Sequence, residues 1–151
     1  MASFVYNNAA LLLANGGIDF DTDVLKIMLV QAAYVADNDN VFIEEGVDDA
    51  NEHELTVTGY TPGFGGAGRK TATVTAEKDD GNNRAELDIA DLTWTALGTG
   101  ETIAGAILIK EITNDLASLL LAYFDVTNTP TNGGDVTLDF DAVEGAIRLS
   151  T

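Results

Sequence analysis

The sequence predicts an all-β protein, a jelly-roll-like β-sandwich of about seven or eight strands with one short N-terminal helix. From Arg69 onward, short apolar runs alternate with turn signals, as strands joined by tight turns do. The clearest signals are Asp79-Asp80-Gly81-Asn82-Asn83, Thr113-Asn114-Asp115 and Thr129-Pro130-Thr131-Asn132-Gly133-Gly134. No helical segment separates the later strands, which argues against a parallel α/β arrangement.

The elements follow in order. Phe4, Val5, Ala9, Leu12 and Leu13 recur at helical spacing, with Ser3 as a cap and Asn15-Gly16-Gly17 as a stop, and predict a helix over residues 4–15. The apolar run Val24–Val30 has the length of a buried strand. Residues 31–50 are polar and acidic with little periodicity, and Asp48–Leu55 suits a helical turn. Lys70–Glu77 alternates around Ala72, Val74 and Ala76, and Arg84–Ile89 through Ala85, Leu87 and Ile89, so the two predict a hairpin. Thr102–Ile112 and Leu116–Phe124 are further apolar strands. Val136, Leu138 and Phe140 alternate on one face, and Ala146–Leu149 closes the series with Ile147 and Leu149 inward. The core predicted from this pattern contains Leu25, Ile27, Leu29, Val74, Leu87, Ile107, Leu121 and Leu138.

At 151 residues the default is one domain, 1–151. Such a chain buries roughly 68–70% of its unfolded surface and needs no disulfide or metal staple. With 25 acidic against 7 basic residues, the net charge of −18 repels nucleic-acid phosphates and anionic membranes and steers the chain toward basic surfaces. It also suits a solvated acidic face that keeps a protein soluble. No cysteine is present, which excludes disulfides, thiolate zinc sites and a cysteine nucleophile. The N-terminal segment lacks the charge pattern of a secretory signal, and no run reaches the roughly 18 apolar residues of a membrane span.

The motifs that suggest chemistry fall short of it. Gly63-Phe64-Gly65-Gly66-Ala67-Gly68 matches a dinucleotide fingerprint in letters, but Pro62 precedes it and a strand follows, where a strand before and a helix after are required. As a phosphate loop it fails because Arg69 comes before Lys70-Thr71 and no helix follows to bind the anion. Asp19, Asp21 and Asp23 open like a calcium loop, but Val24 and Val30 stand where glycine and glutamate belong. A looser calcium site there remains an alternative to turn-forming acids. His53 is the single histidine, too few for a zinc site of three histidines, and no serine lies in a nucleophile elbow. His53 therefore reads as a surface or loop-packing residue. Trp94 reads as a strand-edge core residue, with sugar stacking as its alternative role. No catalytic, cofactor or metal residue is assigned.

Five stretches follow one another in a recognisable order: Ile18-Asp19-Phe20-Asp21-Thr22-Asp23-Val24-Leu25-Lys26-Ile27-Met28-Leu29, Asn51-Glu52 leading to Gly59-Tyr60-Thr61-Pro62-Gly63, Asp88 through Trp94, Leu120-Leu121-Ala122-Tyr123-Phe124-Asp125, and Asp139-Phe140-Asp141-Ala142-Val143-Glu144-Gly145-Ala146-Ile147. In this order of segments the chain resembles capsid decoration (cement) proteins of tailed bacteriophages. The chain departs from the pattern in its acidity, in the longer Gly63–Gly68 loop and in one extra residue after Gly145. The resemblance implies a jelly-roll-like fold and a non-enzymatic virion protein, made in the host cytoplasm and carried on the outer capsid surface. It implies the major capsid protein as partner and a homo-oligomer, trimer or dimer, with neither nucleic acid nor membrane bound. A tail or head-fibre role on the same scaffold is a neighbouring reading. A carbohydrate- or ligand-binding sandwich using Trp94, Tyr60 or Tyr123 as platforms is the rival class.

Glycine loses more backbone entropy on ordering than other residues, so the Gly59–Gly68 loop is expected to be held by a neighbouring molecule. Tyr60 and Phe64 are its expected anchors, because aromatic side chains give large contact area at low entropy cost. Ala2, Phe4 and Tyr6 form the second expected contact, since termini are loose unless tied down.

Overall fold

The run Leu-Lys-Ile-Met-Leu-Val is the centre around which the chain is built. The computed structural model describes residues 2–140 and 145–150. In it this run forms part of β2 (Leu25–Gln31), in which Ile27, Met28, Leu29 and Val30 are all fully buried. A strand covered on both faces is continuously apolar instead of alternating. Each such side chain contributes roughly 1.5–3 kcal/mol of hydrophobic stabilisation.

The remaining elements are β1 (Phe4–Val5), α1 (Asn7–Asn15), β3 (Lys70–Thr71), β4 (Val74–Asp79), β5 (Arg84–Ile89), β6 (Leu92–Trp94), β7 (Thr102–Lys110), β8 (Leu119–Pro130), β9 (Val136–Leu138) and β10 (Ile147–Ser150). They form a five-stranded sheet in the order β1-β8-β7-β2-β3, a three-stranded sheet β10-β5-β4 and a two-stranded pair β6-β9. All pairings are antiparallel. The protein is thus all-β and sandwich-like with one short helix, as the turn spacing predicts. All eight predicted core residues are buried.

Close packing of β7 on β8 depends on a glycine. A Cβ on Gly105 would lie 2.5 Å from the Tyr123 ring, so only a bare backbone lets that ring cross the strand. The ladder register shifts between Ile103 and Gly105, beside this crossing.

Several elements differ from the sequence expectation. The helix starts at Asn7, because Phe4 and Val5 pair with Tyr123 and Ala122 as an edge strand. Phe4 packs against Tyr6 and Tyr123, with ring centroids 5.0 and 5.6 Å away, and a long-range sheet contact overrides a local helical preference. Ser3 does not cap the helix; its Oγ accepts the Asp125 N–H. Tyr6 is the N-cap, without a side-chain bond, and the Asn7 N–H donates to Asn38 O. Gly16 ends the helix in the left-handed region at φ 75°, as the glycine stop implies.

The run Lys70–Glu77 is two strands with a break at Ala72-Thr73. Asp48–Leu55 contains turns and no helix, with Asp48 at φ 60°. β7 ends at Lys110, short of Ile112. β8 begins only at Leu119, because Ser118 and Asn114 close a turn, and it runs on through Pro130. Leu149 is 44% exposed although Ile147 on the same face is buried, because that end of the three-stranded sheet extends past the core. Of the closing segment Asp139–Ile147, residues 141–144 lie outside the described residues.

Candidate functional site: an ionic cluster under the glycine loop

Arg69 stands between the glycine loop and β3, and its side chain is fully buried. A charge removed from water needs partners, and Arg69 has three. Its Nε donates to Glu54 Oε1 at 2.9 Å and its Nη2 to Glu54 Oε2 at 2.6 Å, a two-pronged pairing. On the other side Nη1 reaches Asp115 Oδ1 at 2.6 Å and Nη2 reaches Oδ2 at 3.0 Å. Glu111 Oε1 lies 3.9 Å from Nη1, and the other Glu111 oxygen pairs with Lys26 Nζ at 2.5 Å. The planar guanidinium fork is what allows two carboxylates to be held at once.

These acids also grip the backbone of the loop. Glu54, 1% exposed, accepts the Tyr60 hydroxyl at 2.9 Å and the Gly63 N–H at 2.9 Å in addition to Arg69. Glu111 Oε1 accepts the Gly65 N–H at 3.4 Å. The Tyr60 oxygen in turn accepts the Leu29 N–H at 3.1 Å, which ties the loop to the central strand. Trp94 Nε1 donates to Gly68 O at 2.6 Å. Gly68 is required here, since a Cβ on it would meet the Tyr60 ring at 2.4 Å. Within the loop the Gly68 N–H donates to Thr61 O and the Gly66 N–H to Gly63 O.

Burial alone would lower the Arg69 pKa. The hydrogen bonds and charges of Glu54 and Asp115 outweigh it, and the guanidinium is held protonated more firmly than in water. Burial, reinforced by the Glu54 charge, pushes the Tyr60 phenol well above its ordinary range. Every group of the cluster named here is bound to another of its members or to a backbone amide. The arrangement therefore acts mechanically: it fixes the course of an exposed glycine-rich segment and holds Phe64 outward, 46% exposed.

The expectation that a neighbour must order this loop is thus corrected, because the chain supplies the ordering contacts itself. Tyr60 is buried among those contacts and offers no free ring face for a partner. Phe64 and Ala2 are exposed, Phe4 is half-buried and Tyr6 is fully buried, with its hydroxyl 3.2 Å from that of Tyr34. Phe4 and Tyr6 belong to an aromatic cluster with Tyr34 and Tyr123 at the sheet edge, and His53 packs on Tyr34 at 5.9 Å. His53 Nε2 also lies 3.7 Å from Asp48 Oδ1. Trp94, Tyr60 and Tyr123 are each under 5% exposed, so none of the three serves as a sugar platform.

The aspartates of the 19–23 turn hold the turn itself. Asp23 Oδ2 accepts the Asp19 N–H, Asp19 Oδ1 accepts the Asp21 N–H, and Asp23 pairs with Lys110 at 2.7 Å. Among the described residues, no group of three or more histidine, cysteine, aspartate or glutamate side chains is arranged to hold a metal ion. Sequence reasoning did not find Lys26, Glu54, Arg69, Glu111 and Asp115. For Lys26, Glu54, Glu111 and Asp115 the available signal was a charge beside apolar residues, since buried charges are paired, whereas Arg69, between Gly68 and Lys70, carries no such signal. In comparisons with protein-family models, curated proteins and solved structures, nothing matched this chain.

Proposed function

We propose that the chain is a non-enzymatic virion structural protein that binds the outer surface of a phage capsid and stabilises its lattice. The observation that carries this reading is the use made of the buried ionic groups. Glu54, Arg69, Glu111 and Asp115 bind one another and the backbone of a surface loop, which stiffens a contact element. The all-β scaffold and the segment-by-segment resemblance support the same reading. The expected partner is the major capsid protein, met by a homo-oligomer on the outside of the particle. Many copies on a symmetric shell gain avidity from individually weak contacts. The rival carbohydrate-binding reading is weakened by the burial of Trp94, Tyr60 and Tyr123.

The test is to add purified protein to capsids of the encoding phage that lack it, and to image the particles by electron microscopy. Regular density on the outer surface, with raised resistance of the shell to heat, is expected. Particles that remain bare at micromolar protein would overturn the assignment.

A further inference from the structure

We infer that β4 is a self-association edge, through which two copies of the chain pair as antiparallel strands about a two-fold axis at Ala76. The inference deepens the capsid reading, on which it rests, by naming the self-contact of the expected homo-oligomer. The three-stranded sheet ends at β4, which has β5 on its other side. Thr75, Ala76, Glu77 and Lys78 are exposed. The Ala90 N–H donates to Thr73 O, which makes these two a hydrogen-bonded pair just beyond the ladder that starts at Val74↔Ile89. Bonded and non-bonded pairs alternate along antiparallel strands. Thr75, Glu77 and Asp79 therefore turn their amides and carbonyls toward β5, opposite Asp88, Glu86 and Arg84. Val74, Ala76 and Lys78 turn theirs outward, and among the described residues none bonds them. A row of free backbone groups on an exposed edge is a template for another strand.

Register and charge select a second copy of β4 as the strand that fits. A two-fold pair must set Val74, Ala76 and Lys78 opposite one another, because these carry the outward bonds. With Ala76 opposite its own copy, Val74 faces Lys78, Thr75 faces Glu77, and all three outward residues are used. Sliding one step toward the turn sets Glu77 against Glu77, and like charges directly opposite destabilise a pair. Sliding the other way calls on Ala72, whose N–H is already given to Leu25 O. This sheet is also the least acidic part of the chain. Residues 74–89 and 147–150 hold five acids and three bases, a net of −2, against twenty acids and four bases, a net of −16, in the rest. Two strongly negative molecules meet here at the least repulsion. Lysine on an edge commonly guards against pairing. In this register the partner's Lys78 instead comes beside Val74 and on the same face, next to a cleft of about 560 Å³ lined by Val74, Asp19 and Asp21. It leaves only an exposed contact with Asp80, of the kind that contributes little.

The chain has no cysteine, so single cysteines read the register directly. Thr75→Cys, Ala76→Cys and Glu77→Cys are oxidised as whole proteins and followed on non-reducing gels. Ala76→Cys is expected to form a disulfide-linked dimer fastest, since bonded residues directly opposite have Cα atoms about 5.5 Å apart, within reach of a disulfide. Equal rates at all three positions, or a faster rate at 75 or 77, overturn the inference. Sedimentation of the parent protein should show a concentration-dependent dimer; a monomer at every concentration, or a trimer, overturns it too. Ala76→Lys sets two lysines opposite each other and should weaken the dimer roughly tenfold or more. Ala76→Pro removes one outward N–H and leaves the β4–β5 ladder intact, so it should weaken the dimer while the folded monomer persists in circular dichroism. Unchanged dimers in both variants overturn the inference. Decoration of capsids separates this idea from the one it rests on. If the parent protein decorates capsids yet stays monomeric in solution and none of the three cysteine variants cross-links, the edge is wrong and the capsid reading stands. If Ala76→Cys cross-links fastest while the parent leaves capsids bare, the capsid reading fails and the edge stands.

Discussion

Two irregular segments lie one after the other in the chain, residues 37–52 with seven acids and residues 54–69 with Glu54 alone, and they are held in opposite ways. In residues 37–52 each backbone-binding carboxylate reaches an amide no more than four residues away. Asp37 accepts from Asp39, Glu45 from Val41 and Phe42, Asp49 from Glu45 and Gly46, and Glu52 from Asp48. In residues 54–69 the partners lie far apart in sequence and include a buried cation. The first segment is a series of self-contained turns, each exchanging water for a local bond of modest net value. The second is a single cooperative unit, in which any one loss leaves a charge buried without compensation. Acid content does not predict how firmly a loop is held; the sequence distance to the partner does.

The comparison would break most visibly at Arg69. Arg69→Met should cost about 3–5 kcal/mol in urea unfolding, because Glu54 and Asp115 remain buried without their cation. A loss under 1 kcal/mol would mean the loop is held mainly by its other contacts. Gly68→Ala comes next, at about 1–3 kcal/mol, since the added methyl must displace the Tyr60 ring from the cluster.

Alkaline titration isolates the same unit. The phenol of Tyr60 is raised, so the folded state keeps a proton that the unfolded chain gives up near pH 10. Its contribution is fully present below that pH and is lost as pH rises above it. The slope approaches about 1.4 kcal/mol per pH unit for this one group. Tyr60→Phe should flatten the decline of stability between pH 10 and pH 11, relative to the parent, in denaturant unfolding at each pH. Tyr6, Tyr34 and Tyr123 are raised by burial too, so some decline persists in that variant.

In the locally held segment the effect should be smaller. Asp49→Ala should cost about 1–2 kcal/mol, the value of charge-assisted bonds to two amides, with amide-exchange changes confined to residues 41–52. The smallest effect belongs to the hairpin turn after β4, which is of the same local kind. The Asn82 side chain and nearby amides hold the Asp79 carboxyl below its usual value. A depressed carboxyl contributes stability above its unfolded pKa, which is lost as pH falls through the folded one, below about pH 4. Asn82→Ala should move the Asp79 titration upward in carboxyl-detected NMR, with little change in the unfolding midpoint at pH 7.

The strand pattern was legible wherever neighbours in sequence are neighbours in space. The β4–β5 hairpin follows from alternation and one turn, and its register runs from Val74↔Ile89 to Asp79↔Arg84. The continuous apolar run of β2 is equally local. Phe4 and Val5 were misassigned because the partner that makes them a strand, at Tyr123 and Ala122, lies at the far end of the chain. The ionic cluster was hidden for the same reason. Lys26, Glu54, Arg69, Glu111 and Asp115 have no common spacing, and only the folded sheets make them neighbours. Tyr60 was misplaced because a glycine-rich setting reads as surface, whereas its hydroxyl is anchored beneath the loop by Leu29 and Glu54.

The order β1-β8-β7-β2-β3 has a consequence for how the chain reaches this state. β2 cannot complete its ladder until β7 exists, with Leu25 opposite Lys110, and β1 waits for residues 122 and 123. During synthesis the fully apolar Ile27–Val30 segment therefore waits for residues 70–71 to gain its first sheet neighbour and for residues 102–110 to complete its ladder. Chains dominated by such distant pairings fold in milliseconds to seconds, where helical bundles take microseconds. In that interval the strong negative charge keeps nascent copies apart, and exposed β2 edges have less chance to pair with one another.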